Sequence, residues 1–216
     1  MNMNMNELII NKDYKSIEQA LAGNPALANE GISYDESNTA KAHPLHRICD
    51  RIFSGLITDG QGIEIAKLFL KYGANINGNG LIEKQDTPLL AACSLHADQL
   101  AIFYIEKGAD FHHQGCHGGT ALHWAAWTGR PVPVKKLIEK GSEINKLCID
   151  FKATPLFWAI HGLKNEGYEC VGDCLEIVKA LLMAGADSST PNLNGYTVFN
   201  MLTDQDTELK DLLTRG

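Results

Sequence analysis

Gly119-Thr120-Ala121-Leu122-His123-Trp124-Ala125-Ala126-Trp127-Thr128-Gly129 is the stretch that decides the fold. It opens a unit that runs to Lys140-Gly141. Its tetrapeptide, Thr-(Pro/Ala)-Leu-X, recurs along the chain. The copies are His43-Pro44-Leu45-His46, Thr87-Pro88-Leu89-Leu90 and Thr154-Pro155-Leu156-Phe157, with a degenerate one at Thr197-Val198-Phe199-Asn200. Successive openings lie 44, 33, 34 and 43 residues apart. Each full unit closes on a glycine after an apolar helical pattern: Gly73, Gly108, Gly141 and Gly185. A left-handed residue ends a helix well, and glycine adopts that conformation without steric cost.

A period near 33 that opens on T-P-L-H-x-A is the signature of the ankyrin repeat, and the chain resembles that family over nearly its whole length. The resemblance implies an all-α fold, an α-solenoid of antiparallel helix pairs linked by β-hairpin fingers. It divides a single domain into an N-terminal cap with its connection (1–42), four inner repeats (43–86, 87–119, 120–153 and 154–196) and a C-terminal cap (197–216). Each repeat of such an array packs only on its neighbours.

Local chemistry fills in the units. In the second, Leu45, Ile48, Cys49 and Ile52 are spaced i, i+3, i+4, i+7, which is one helical face. Its second helix is expected over 63–72. At the N-terminus a short helix from Glu7 is followed by one that Ser16 precedes and Gly23 stops, with Pro25 marking the break. Residues 30–42 are polar, with Asp35, Glu36, Ser37, Asn38 and Thr39 in a row, and read as a long connection. From opening to closing glycine is 21 residues in the third and fourth units, but 30 in the second and 31 in the fifth. Two insertions of 9 and 10 residues therefore stand between paired helices, near 53–62 and 163–173. Asp59 and Asp173 lie near the helix starts that follow, and Asp173 suits a cap for a helix beginning at Cys174. Asn77-Gly78-Asn79-Gly80 is a tight-turn signal.

Composition narrows the function. The formal charge of -7 over 216 residues argues against a sequence-independent grip on nucleic acid and against an anionic membrane as partner. No apolar run approaches the roughly 18 residues of a membrane span, and Met1 to Glu7 has neither the basic nor the apolar region of a signal peptide. Six cysteines scattered through different units read as reduced, buried thiols, in keeping with a cytoplasmic protein. The expected form is a monomer without a cofactor.

The candidate residues fall into four sets. His46 and His123 occupy the fourth motif position, where the resemblance implies a structural imidazole bonded to backbone across the turn. Thr120 and Thr154 suit helix caps. His112, His113, Cys116 and His117 are ligands that zinc prefers, but no second pair stands at zinc-finger spacing, so no metal is assigned. Cys170 and Cys174 are a weaker pair of the same kind. No GxSxG, GxxxxGK(S/T), HExxH or GxGxxG stands in its proper context, so no enzymatic activity is expected.

In families of this architecture a concave surface is built from finger tips and exposed first-helix positions. Aligned from the openings, the helix positions are Asp50 and Arg51, Ser94 and Leu95, Trp127 and Thr128, and His161 with Gly162. The finger-tip candidates are Cys116, His117, Phe151, Lys152 and Asn194. Trp127 stands out, because aromatic anchors are typical binding hot spots. Trp124 and Trp158, at the preceding position, read as packing residues. The expected function is a non-enzymatic module that binds a protein partner. Inhibitor, scaffold and microbial effector stay open, and a metal- or thiol-dependent sensor built on 112–117 is the alternative.

Overall fold

The computed structural model describes residues 4–34, 40–165 and 171–215. They form two compact units, the first of Met1–Ile82 with Asp86–Asp110, the second of Glu83–Gln85 with Phe111–Gly216. Asp35 to Thr39 and Cys170 lie outside the described residues.

The first unit contains three helix pairs: α1 (Met5–Ile10) with α2 (Tyr14–Gly23), α3 (Pro44–Phe53) with α4 (Asp59–Lys71), and α5 (Pro88–Ser94) with α6 (Asp98–Glu106). Like packs on like. α3 lies against α5 and α4 against α6, while α2 meets α4. Leu45, Ile48, Cys49, Ile65, Phe69, Leu89, Leu100 and Tyr104 are removed from solvent entirely. The Tyr104 hydroxyl donates to the Leu45 carbonyl at 2.8 Å, which ties the third pair to the second. Proline at the first turn of α3 and of α5 lacks only an N–H that would have no helical partner there.

Three local expectations are corrected here. Asp13, not Ser16, caps α2: its carboxylate accepts the Ser16 amide at 3.0 Å, and Ser16 falls in the first turn. The insertion near 53–62 is helical at both of its ends. α3 runs through Phe53, and α4 begins at Asp59, where Thr58 and Gln61 form a reciprocal cap. Asp59 serves another helix. Its two carboxylate oxygens accept the amides of Gln99 (3.3 Å) and Leu100 (3.2 Å) at the start of α6, whose own cap position, Ala97, has no side-chain acceptor. Finally, the polar connection after α2 begins and ends in a short hairpin, with β1 (Ile32–Ser33) antiparallel to β2 (Lys41–Ala42).

The second unit repeats the pairing with α7 (Ala121–Trp127) and α8 (Pro131–Glu139), then α9 (Pro155–Asn165) and α10 (Val171–Met183). A 3-10 turn (Val198–Met201) and α11 (Thr207–Arg215) follow. α7 packs on α9, α8 on α10, and α11 closes against α10. Asp173 lies inside the first turn of α10, not before it as a cap, because the helix starts at Val171, three residues earlier than the sequence pattern suggests. Lys164, near the end of α9, reaches Asp206 before α11 at 2.5 Å. That ion pair and the Thr203 amide draw the Asp206 carboxyl down to about 2. In both units the closing glycines Gly73, Gly108, Gly141 and Gly185 have φ between 86° and 92°, as helix ends require.

The fingers are tight turns, not strand ladders. β1–β2 is the only sheet among the described residues. In the second unit each finger closes with one backbone bond, such as Cys148 N to Ala153 O (3.0 Å) or Asn192 N to Tyr196 O (2.8 Å). Neighbouring fingers are then joined edge to edge. Lys84 N meets Gln114 O, Ile149 N meets Gly118 O, Asp150 N meets His117 O, and Leu193 N meets Phe151 O, all within 3.3 Å.

Candidate functional site

The site grows from the opening motif of the second unit. Thr120 precedes α7, and its amide donates to Nδ1 of His123 at 3.1 Å. The other ring nitrogen, Nε2, lies 3.2 Å from the Ala153 carbonyl and donates to it. His123 is therefore a fastener between one repeat and the finger of the next, as the resemblance implied. Burial pushes its pKa down to about 4, since a charged imidazole would lose its hydration there. In the first unit the opening residue His43 also makes two hydrogen bonds through its ring. Nδ1 of His43 accepts the Leu45 amide at 3.2 Å and Nε2 meets Asn29 Oδ1 at 3.1 Å. Burial likewise holds His43 at about 4.

Trp158 of α9 stands edge-on against His123 (5.2 Å between ring centres), Trp124 (5.3 Å) and Trp127 (5.4 Å). It is 3% exposed. Gly119 permits this approach, because a β-carbon there would come 2.9 Å from the indole of Trp158. Trp127 then lies 4.8 Å from His161 at a 30° tilt, and Phe157 stacks on His161 at 6.3 Å. On the other side His117 bridges Trp124 and Phe151. The indole N–H of Trp124 is buried without a hydrogen-bond partner among the described residues.

Against these rings opens a cleft of about 640 Å³. Its walls are equivalent positions of two consecutive repeats. Phe151 and Asn194 stand three residues before their openings, and Ala153 and Tyr196 one before. Phe157 and Asn200 stand three residues after, and Trp158 and Met201 four after. Trp127 and His161, seven residues into their own units, and Asn192 complete it. Among the described residues no lysine, arginine, aspartate or glutamate lines it. Phe151 and Tyr196 are about half exposed, so aromatic surface faces solvent there. Such a concave site with a few convergent polar groups is the usual form of a binding pocket.

The sequence candidates divide accordingly. Trp127, Phe151, His161 and Asn194 come together in the cleft. His117 and Cys116 lie on the adjoining finger, where His117 Nδ1 stands 3.4 Å from Asp150, whose other carboxylate oxygen pairs with Lys84. Lys152 is exposed next to Phe151. The Thr128 hydroxyl donates to the Trp124 carbonyl at 2.8 Å and serves the helix end. Asp50, Arg51, Ser94 and Leu95 belong to the first unit and do not join the cleft.

Arg51 is the clear correction. It is 3% exposed, and its guanidinium donates to Asn6 Oδ1 (2.9 Å) and the Tyr34 carbonyl (2.6 Å) with the Tyr34 ring 4.4 Å above it. It fastens the N-terminal segment instead of facing a partner. Asp50 is committed to Arg47 at 2.6 Å. Phe157, Trp158, Asn192, Tyr196, Asn200 and Met201 were not among the candidate binding residues. The register could have found all but Asn192, because each of the others shares its motif position with another wall residue.

The histidine-rich finger does not converge. His112 faces Glu143 (3.7 Å), His113 lies 2.9 Å from the Gln85 carbonyl, and His117 faces Asp150. Among the described residues no group of three or more His, Cys, Asp and Glu side chains is placed to hold a metal ion. No described helix is long and apolar enough to cross a membrane.

Comparison with known proteins agrees with this architecture. Residues 56–148 match the family model of ankyrin repeats in three copies. The chain is 37% identical over 92 residues to the Danio rerio protein ZDHHC13, covering 43% of this chain and 13% of that one. It is 32% identical over 127 residues to the palmitoyltransferase ZDHHC13 of Mus musculus, covering 55% and 19%. It is 41% identical over 100 residues to the ankyrin repeat and SAM domain-containing protein 6 of Rattus norvegicus, covering 44% and 10%. The matched stretch thus spans a fifth or less of each relative's length. The matched residues are ankyrin repeats, and ankyrin repeats indicate a protein-interaction module. Apart from Trp127, the walls of the cleft lie beyond the matched residues.

Proposed function

We propose that this chain is a non-enzymatic, cytoplasmic interaction module that acts as a monomer and takes a protein partner on the aromatic cleft of its second unit. The observation that carries the proposal is the aromatic surface of half-buried Trp127 with exposed Phe151 and Tyr196 around a concave site of about 640 Å³. Aromatic side chains in such a setting supply most of the energy of typical interfaces. The finger beside it adds His117 and Cys116, and Lys152 next to Phe151 completes a polar rim. The partner decides whether capture amounts to inhibition, scaffolding or the action of an effector.

The test compares capture of cellular proteins by the wild-type chain and by Trp127→Ala, followed by affinity measurement with the partner so identified. We expect a loss of at least tenfold in affinity, with far-UV circular dichroism unchanged. Partners that survive the substitution at full affinity would place the binding surface elsewhere.

A further inference from the structure

The polar groups of the cleft are unevenly committed. Asn192 Oδ1 accepts the amides of Asn194 and Tyr196, each at 3.0 Å. Asn200 Oδ1 accepts the amide (2.8 Å) and the hydroxyl (3.2 Å) of Thr197. In both side chains the acceptor atom is used by the protein's own turns, which also fixes which end of the amide is oxygen. What remains for a ligand is the Nδ2 end, two N–H donors on each residue. Asn194 adds a third amide at the rim. Among the described residues the cleft lining therefore presents aromatic faces and neutral donors, with no carboxylate to receive a cation and no ammonium or guanidinium to receive an anion.

We infer that the occupant of this cleft is an extended, uncharged segment of a partner polypeptide. It would lay apolar side chains on Trp127, Phe151 and Tyr196 and offer main-chain carbonyls to Asn192 and Asn200. This deepens the proposed function and rests on its placing the partner in the cleft. A charged lysine or arginine would lose its hydration there without an acidic replacement. An amphipathic helix brings the right apolar face, but its interior carbonyls are already bonded along the helix axis. An extended strand has those carbonyls to spare.

The experiment selects binders from a phage-displayed library of linear peptides on the whole purified chain. Selected peptides are synthesised and measured against wild type, Trp127→Ala, Asn192→Asp and Asn200→Asp. Aspartate keeps the oxygen that each turn uses, and it serves as a turn or cap acceptor as well as asparagine does. It converts the outward donor into an acceptor. The expected result is a set of uncharged, apolar sequences without helical spacing, weakened at least tenfold by either Asn→Asp change and by Trp127→Ala, with unchanged circular dichroism.

Basic peptides that bind the Asp variants more tightly would overturn the inference in favour of a cation site. Helically spaced peptides, peptides indifferent to both Asp variants, or no enriched peptide at all would also overturn it. Loss of binding in Trp127→Ala but not in the Asp variants sinks only this inference. Full binding in Trp127→Ala sinks the placement of the partner site as well.

Discussion

His123→Gln should flatten the acid sensitivity of the second unit. In the folded chain His123 is fully buried and neutral, accepting from Thr120 through Nδ1 and donating to Ala153 through Nε2. Burial lowers its pKa from 6.5 to about 4. Once unfolded, the imidazole takes up its proton near 6.5. The folded state is therefore fully supported above that pH, and the support is lost as pH falls towards 4, because protons bind the unfolded chain first. Between pH 7 and pH 5 the difference amounts to about 2 kcal/mol for one histidine, from 1.36 kcal/mol per unit of pKa difference.

Glutamine offers an acceptor and a donor at the third helical position, where it commonly completes a threonine cap, and it does not titrate. Urea unfolding followed by tryptophan emission is a suitable assay, since Trp158 lies 5.2 Å from His123. The wild-type free energy should fall by about 2 kcal/mol from this residue between pH 7 and pH 5, and the variant should lack that component. His43, in the first unit, titrates with the same sign and serves as an internal comparison. Identical pH slopes in wild type and His123→Gln would refute the claim that His123 is kept neutral by burial.

Two further outcomes concern the first unit, both read from urea midpoints. Asp59→Ala removes both acceptors at the start of α6 and should cost about 1 kcal/mol, while Asp59→Asn keeps an acceptor and should cost less. An unchanged midpoint in Asp59→Ala would mean that water caps α6 equally well. Arg51→Met keeps the bulk but leaves the Tyr34 carbonyl and Asn6 without their charged donor, so a loss of about 2 kcal/mol is expected. Lys67→Met, which breaks an exposed pair with Glu64, should change the midpoint little, and a loss as large as that of Arg51→Met would contradict the ranking by burial.

Much of the fold was legible because its signals are local. Proline after the opening residue, threonine caps on α5 and α9, and a left-handed glycine at each helix end act within a turn of where they stand. Boundaries failed where two local signals competed. Asp13 outranked Ser16, and Thr58 started α4 while Asp59 turned to another helix. Arg51 misled because its motif position is usually exposed. Here an N-terminal segment some 45 residues earlier, carrying Asn6, covers it.

What the sequence determined by itself was therefore the repeat, its period, and most helix ends, together with the histidine fastener at 123. Each follows from chemistry between residues a few positions apart. Only the tertiary structure decided which aromatic rings would meet. Trp127, Trp158 and Tyr196 are dozens of residues apart and share a cleft because successive helices and fingers stack in register. It also decided that the amide oxygens of Asn192 and Asn200 would be consumed by their own turns. The order of residues names the groups in the cleft. Packing determines which of their hydrogen bonds remain for a partner.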